Sequence, residues 1–371
     1  LIAVVVCLTA PASTETRTPL PILLSSDVRL AKEALKAASA SQWETAQAKS
    51  SAAQNPLPQR VVEWLFLSDT HAAPDFSRLE TFIRSHPNWP NRALLKKKLE
   101  NAIPEDLTPT SIAHLFRDHP PGTSAGAARF GAALMSLGEK ERGADILKRW
   151  WRSGDFTKRE ERAFFAKYKT LLDESDHTLR LKRLLWEGKT RVARRMLSRV
   201  TPTIKQLGIA RIYLIERHPD VDEAIANLPK ELLTDSGLIF DRAHWRRRAG
   251  KDDRARQLLF SLPENLVRPD KWWREIKYQI RVSLDEGLFA DAYRLAANNG
   301  SFENVARADA SWLAGWIALR FLNEADIALG HFENMHQIVS MPISRARAAY
   351  WAAKASGAKG DKPLARHWFE L

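Results

Sequence analysis

Towards its C-terminal end the chain repeats a two-residue signature at nearly constant spacing: a Gly or Asn followed five residues later by Ala. It occurs as Gly250/Ala255, Gly287/Ala292, Asn323/Ala328 and Gly360/Ala365, in steps of 37, 36 and 37 residues. Self-similarity at this period means stacked helix pairs, because each pair leaves an apolar face that only a neighbour can bury. The first residue can take the left-handed conformation that ends one helix, and the small Ala lets the next helix approach closely. Weaker copies stand upstream at Gly188/Ala193 and Ser41/Ala46, and Gly138 is followed six residues later by Ala144.

The segments between these marks have helical spacing. Trp273, Ile276, Ile280 and Leu284 fall on one face, as do Ala310, Leu313, Ala314, Ile317, Ala318 and Phe321. No run alternates apolar and polar residues as a half-buried strand would. The expected fold is therefore all-α, a superhelical solenoid of TPR-like helix pairs that could close into a ring. Thirteen Trp residues are expected to fill the gaps between successive pairs.

The N-terminal residues read as an address. Residues 1–8 are apolar, and Ala10-Pro11-Ala12 suits the cleavage site of a secretory signal, which assigns residues 1–12 to a signal remnant and the protein to a periplasm. Cys7, the sole cysteine, lies inside that stretch, so the mature chain would carry no thiol. A Thr- and Pro-rich leader over 13–24 precedes an α-superhelical domain over 25–371. Its first helix is expected to start at Asp27 as N-cap, with Val28, Ala31, Leu35 and Ala38 on its inner side.

Charge is the second signal. The chain carries a formal +13, and residues 180–217 hold eleven Lys or Arg against two Glu. After Gly188 the apolar stripe Val192, Ala193, Met196, Leu197 and Val200 leaves Arg191, Arg194 and Arg195 together on the opposite side. Arg246, Arg247 and Arg248 form a second cluster. Such a field attracts a polyanion or a carboxylate-rich surface, and these six arginines are the candidate binding residues.

Catalytic patterns are weak. Gly122-Thr123-Ser124-Ala125-Gly126 fits the G-x-S-x-G expression, but that motif needs a strand before the Ser, and the preceding segment is helical. Pairs such as His114/His119 and His331/His336, five apart, diverge on a helix, so no metal site is expected, and no cofactor either. No zinc-finger spacing, RNP-like motif or glycine-rich phosphate loop argues for nucleic acid.

Three stretches carry a resemblance: Trp272-Trp273-Arg274-Glu275 with Arg281, then residues 312–322 around Trp312-Leu313-Ala314-Gly315-Trp316, then Pro342-Ile343-Ser344-Arg345-Ala346-Arg347 through Trp351. In this order, above a TPR-like period, they resemble the superhelical region of the soluble lytic murein transglycosylases over about residues 180–371. The resemblance implies a bacterial periplasmic enzyme that cleaves the β-1,4 bond between N-acetylmuramic acid and N-acetylglucosamine and leaves a 1,6-anhydro end. It places the catalytic Glu in a lysozyme-like domain that would follow residue 371, so no residue of this chain receives the chemistry and Glu370 is a repeat-helix residue. The expected partners are peptidoglycan glycan strands, that catalytic domain, and other cell-wall enzymes. A TPR-like periplasmic adaptor that binds another protein is the alternative, and RNA binding by helical repeats a third.

Overall fold

The computed structural model describes residues 23–117, 120–263, 266–298, 302 and 304–371. The signal and most of the leader expected over 1–24, with Cys7, lie outside these residues. Among the described residues there are twenty-one α-helices, one short 3-10 turn (Lys230–Thr234) and no strand. No helix among them is long and apolar enough to cross a membrane. The chain divides into two compact units. The first takes in the described residues to Trp150 together with Gly154–Lys167, and the second Trp151–Ser153 with Tyr168–Leu371.

All seven signature positions end a helix in the left-handed region. Ser41, Gly138, Gly188, Gly250, Gly287, Asn323 and Gly360 have φ between 55° and 89°. At six of the seven corners the amide after this residue reaches back five residues to a carbonyl of the ending helix, as when Gln42 N donates to Ala37 O at 2.9 Å and Lys251 N to Arg246 O at 2.9 Å. That bond satisfies a carbonyl the helix end would leave bare, and it sets the direction in which the chain turns back. At Asn323 the bond reaches one residue further, from Glu324 N to Ala318 O.

Behind each corner sits the small residue. Ala46, Ala193, Ala255, Ala292 and Ala328 are fully buried, whereas Ala365 is half-buried. At the Gly138 corner the expectation needs correcting: the contact residue is Gly143, five positions on like the others, and Ala144 is only half-buried. A Cβ on Gly143 would lie 2.6 Å from Met135 Cγ and 2.7 Å from Gly131 O. The second of these is backbone and cannot swing aside. Gly143→Ala is therefore expected to cost about 1–3 kcal/mol of unfolding free energy through overpacking, measured by denaturant titration; an unchanged midpoint would show that the two helices are not held this closely.

In the first unit the pair Ser25–Ser39 and Trp43–Ser51 packs through Ala34, Ala37, Ala38 and Ala46. The helix begins earlier than expected, with Leu24 as N-cap. Asp27 is not a cap. It is 1% exposed, and its carboxylate accepts from Gln54 N at 3.0 Å and Asn55 N at 2.9 Å, closing the turn after the second helix. The inner face also shifts: Val28 and Leu35 are exposed, because the narrow Ala face at 34, 37 and 38 gives the closer approach.

In the second unit five pairs run from Glu174–Trp186/Thr190–Met196 through Ser236–Arg248/Asp252–Leu259, Pro269–Asp285/Phe289–Ala297 and Asn304–Phe321/Ala325–Ile338 to Pro342–Ala358/Lys362–Glu370. The period breaks between Gly188 and Gly250. There the Pro202–Glu216 and Val221–Ala226 helices and the 3-10 turn are inserted. Trp186, Trp272 and Trp273 pack with Ala243, Leu259, Ile276 and Ile280 in one core. None of the thirteen Trp is exposed, so the gap-filling role expected of them holds along the chain.

Polar side chains lock one seam of this unit. On the Pro269–Asp285 helix, Glu275, Gln279 and Ser283 recur every four residues and are buried. Arg247 Nε donates to Glu275 at 2.6 Å, Gln279 Nε2 to Asp252 Oδ1 at 2.7 Å, and Arg256 Nη1 to Ser283 Oγ at 3.1 Å. The stripe thus docks on both helices of the preceding pair.

Candidate functional site

The arginines expected to form one basic face are spread over several environments. Arg191 and Arg194 are exposed near the Gly188 corner, where they line a shallow cleft with Lys189 and Glu216. Arg194 Nη2 donates to Glu216 Oε2 at 2.5 Å, and Arg195 is half-buried and engaged. Arg246, Arg247 and Arg248, about 100° apart on their helix, diverge. Arg246 Nη1 donates to Arg254 O at 2.7 Å, and burial, together with the charges of Arg242 and Arg254, holds it below the ordinary arginine range. Arg248 is exposed. Arg247 turns into a separate cleft.

The charge count over 180–217 also overstates the surface field. Arg180 and Arg211 are 0% and 1% exposed. Arg180 lies over the Trp151 ring at 4.6 Å and Arg211 over Trp186 at 5.2 Å, while Arg211 Nε donates to Asp241 Oδ2 at 2.7 Å. Lys182 pairs with Asp235 at 3.0 Å and Lys189 with Glu187 at 2.9 Å. A count of charges along a sequence places every Lys and Arg outside; here flat guanidinium groups are used as core pieces against indole rings.

The cleft that Arg247 enters combines aromatic rings, an imidazole and groups of both charges. It encloses about 420 Å³ and is floored by Leu185, Trp186, Ile215 and Phe240. Two helices supply its polar wall, each through residues three apart that share a face: His244 and Arg247 on Ser236–Arg248, Glu275 and Tyr278 on Pro269–Asp285. His244 Nδ1 lies 2.9 Å from Glu275 Oε2 and 3.1 Å from Arg247 Nη2. Burial alone would lift the Glu275 carboxyl, but the hydrogen bonds from His244 and Arg247 together outweigh it and hold it below the ordinary carboxylate range. Arg247 also lies over the Tyr278 ring at 4.6 Å. Beneath, burial pushes the Asp241 carboxyl up against the pull of Arg211.

The hydroxyl-, amine- and carboxylate-bearing side chains that line this cleft are Tyr278, Lys271, Glu187, Asp241 and Glu275. Rings beside fixed, ionised side chains, with Lys271 and Arg274 at the edge, suit binding of a polar ligand that has apolar faces. Gly188 lines both this cleft and the one at Arg191 and Arg194. The two therefore adjoin, and a ligand extended over the corner would meet rings at one end and cations at the other.

Sequence reading missed this cleft. Its signal was Glu275, a carboxylate between Trp272, Trp273 and Ile276 on a face otherwise spaced for burial. The Ser of the rejected G-x-S-x-G expression starts the Ser124–Ser136 helix and donates to Glu160 at 2.9 Å. Gly126 is explained by Glu100, whose carboxylate would collide with a Cβ there and also accepts from Gly122 N at 2.9 Å. Among the described residues no group of His, Cys, Asp and Glu could hold a metal ion.

No family model and no curated protein matches the chain. Among solved structures it is similar to the 70 kDa soluble lytic transglycosylase SLT70 of Escherichia coli, at 12% identity and a TM-score of 0.41, over 92% of this chain and 72% of that one. It is also similar to a chain of the APC/C hetero-tetramer Cut9–Hcn1, at 13% identity and a TM-score of 0.24, over 94% of this chain and 78% of that one. At these values neither likeness bears on what the chain binds.

Proposed function

We propose that this chain is the strand-holding helical-repeat part of a periplasmic lytic murein transglycosylase, which positions a peptidoglycan glycan strand for cleavage by a lysozyme-like domain. The observation that carries this reading is the pair of clefts meeting at Gly188, one lined by Trp186, Phe240 and Tyr278 beside fixed polar groups, the other by Arg191 and Arg194. Sugar rings have apolar faces that stack on aromatic side chains and hydroxyls that bond to ionised ones. The peptides hung from a glycan strand add carboxylates, which suit the cationic end. The resemblance over residues 180–371 falls on the same unit.

The test is co-sedimentation of the chain with insoluble peptidoglycan at low and high salt, with mass spectrometry of the supernatant. Salt-sensitive pelleting without anhydro-muropeptides is expected. Tyr278→Ala is expected to weaken pelleting up to about tenfold, the equivalent of one lost stacking contact, and Arg191→Glu/Arg194→Glu to flatten the salt dependence. Absence of pelleting would defeat the reading, and release of anhydro product would place an active site in this chain.

A second reading, a TPR-like periplasmic adaptor, is favoured by the exposure of Ile343 (80%), Tyr350 (50%) and Phe369 (58%) on the last helix pair. A chain that fails to pellet but captures another wall protein would support it.

A further inference from the structure

The first unit holds a groove of about 730 Å³ formed by the Phe76–Ser85, Arg92–Asn101 and Pro109–Leu115 helices. Its floor is apolar, with Phe76, Ile83 and Leu115 half-buried in it. Its rim is cationic: Arg84, Arg92 and Lys96 face one carboxylate, Glu80. Arg92 is partly committed, since its Nη1 donates to Pro87 O at 2.6 Å and so shapes the rim from within. Arg84 is exposed and Lys96 half-buried.

The third wall differs from the first two. Thr110 and His114, one turn apart on Pro109–Leu115, are exposed and line the groove with hydrogen-bonding groups. A hydrocarbon chain would leave those groups unused, whereas a peptide main chain needs partners of this kind when it leaves water. Bulky apolar side chains fit the floor, and carboxylates fit the rim.

We propose that this groove is a docking site for a short peptide segment of another protein in which carboxylates flank bulky apolar residues. The site lies wholly in the first unit, so it stands or falls independently of the glycan reading of the second.

The test is fluorescence anisotropy of the full chain with a labelled probe, Ac-Glu-Leu-Phe-Glu-Leu-Asp-amide. The same peptide with Lys at the acidic positions and sodium dodecanoate serve as competitors. Saturable binding of the acidic probe is expected, weakening as salt rises from about 0.05 M to about 0.5 M, where the Debye length shortens severalfold. The Lys peptide is expected not to compete. Arg84→Glu/Lys96→Glu is expected to lower affinity at least about tenfold while the thermal transition stays in place, the size of effect seen when opposed charges are reversed at a binding rim. Thr110→Trp, which fills the groove from an exposed position, is expected to abolish binding. Equal binding of the acidic and Lys peptides, or unchanged affinity after charge reversal, would overturn the proposal. So would displacement of the acidic probe by dodecanoate at concentrations below its micelle point, which would mark the groove as an acyl-chain site.

Discussion

Asp241→Leu alone is expected to lower the unfolding free energy by about 3–5 kcal/mol, and Arg211→Met/Asp241→Leu to recover most or all of the loss. Arg211 and Asp241 are 1% and 7% exposed and bonded at 2.7 Å. Removal of the carboxylate strands a guanidinium that has no route to water. Removal of both charges strands nothing, and it also disposes of an existing fault, because Arg211 Nη2 is buried without a hydrogen-bond partner. The stacking of Arg211 on Trp186 opposes full recovery, since that contact goes with the charge. Gly237 ties into the same prediction. A Cβ there would fall 2.1 Å from Arg211 Nη1, so Gly237→Ala is expected to be harmful beside Arg211 and much milder beside Met. The check is a double-mutant cycle by urea unfolding; equal losses in single and double variants would show that a stranded guanidinium is not what the single variant costs.

Trp272→Ala is expected to cost about 3–5 kcal/mol, as do other fully buried large-to-small changes. Trp272 is 0% exposed and meets the Phe240 ring edge-on at 5.3 Å and 70°. Phe240 in turn lies 5.1 Å from Trp186, and both rings line the cleft. The loss should therefore reach the proposed pelleting with peptidoglycan as well as stability, through collapse of the cleft floor. Trp272→Phe separates the two effects. Because Trp272 Nε1 has no hydrogen-bond partner, Phe forfeits area but no bond, and a far smaller change in melting temperature is expected by calorimetry. If Trp272→Phe proved as damaging as Trp272→Ala, ring size alone would be setting the seam.

The corners of the fold were legible because their cause is local. A residue that tolerates positive φ, followed five positions later by a small one, is a backbone requirement written at two places, and all seven corners obey it. The Gly138 corner was misread for a correspondingly local reason: Ala was sought where Gly143 does the same work more tightly. The first helix was misread because Asp27 looks like a cap in isolation, and only the distant turn at Gln54 and Asn55 shows what it bonds. The cleft was not legible, since His244 and Arg247 acquire meaning from Glu275, 31 and 28 residues away on another helix. The basic field was half legible. Its charges are present, but whether an Arg lies in water or on an indole is decided by packing, as Arg180 and Arg211 show.

Helix pairs with similar corners carry a hazard while the chain is folding, because any apolar face can settle on the wrong neighbour or one turn out of phase. The four-residue stripe of Glu275, Gln279 and Ser283 acts against this like the cuts of a key. Displacement of the Pro269–Asp285 helix by one turn would carry Glu275 away from His244 and Arg247 and bring an uncharged Gln279 or a cationic Lys271 in its place, so the guanidinium of Arg247 would lose its carboxylate. An apolar stripe would tolerate that slip with little complaint. The polar one carries a different group at each turn, a carboxylate, an amide and a hydroxyl, so only the native phase sets the carboxylate of Glu275 against Arg247.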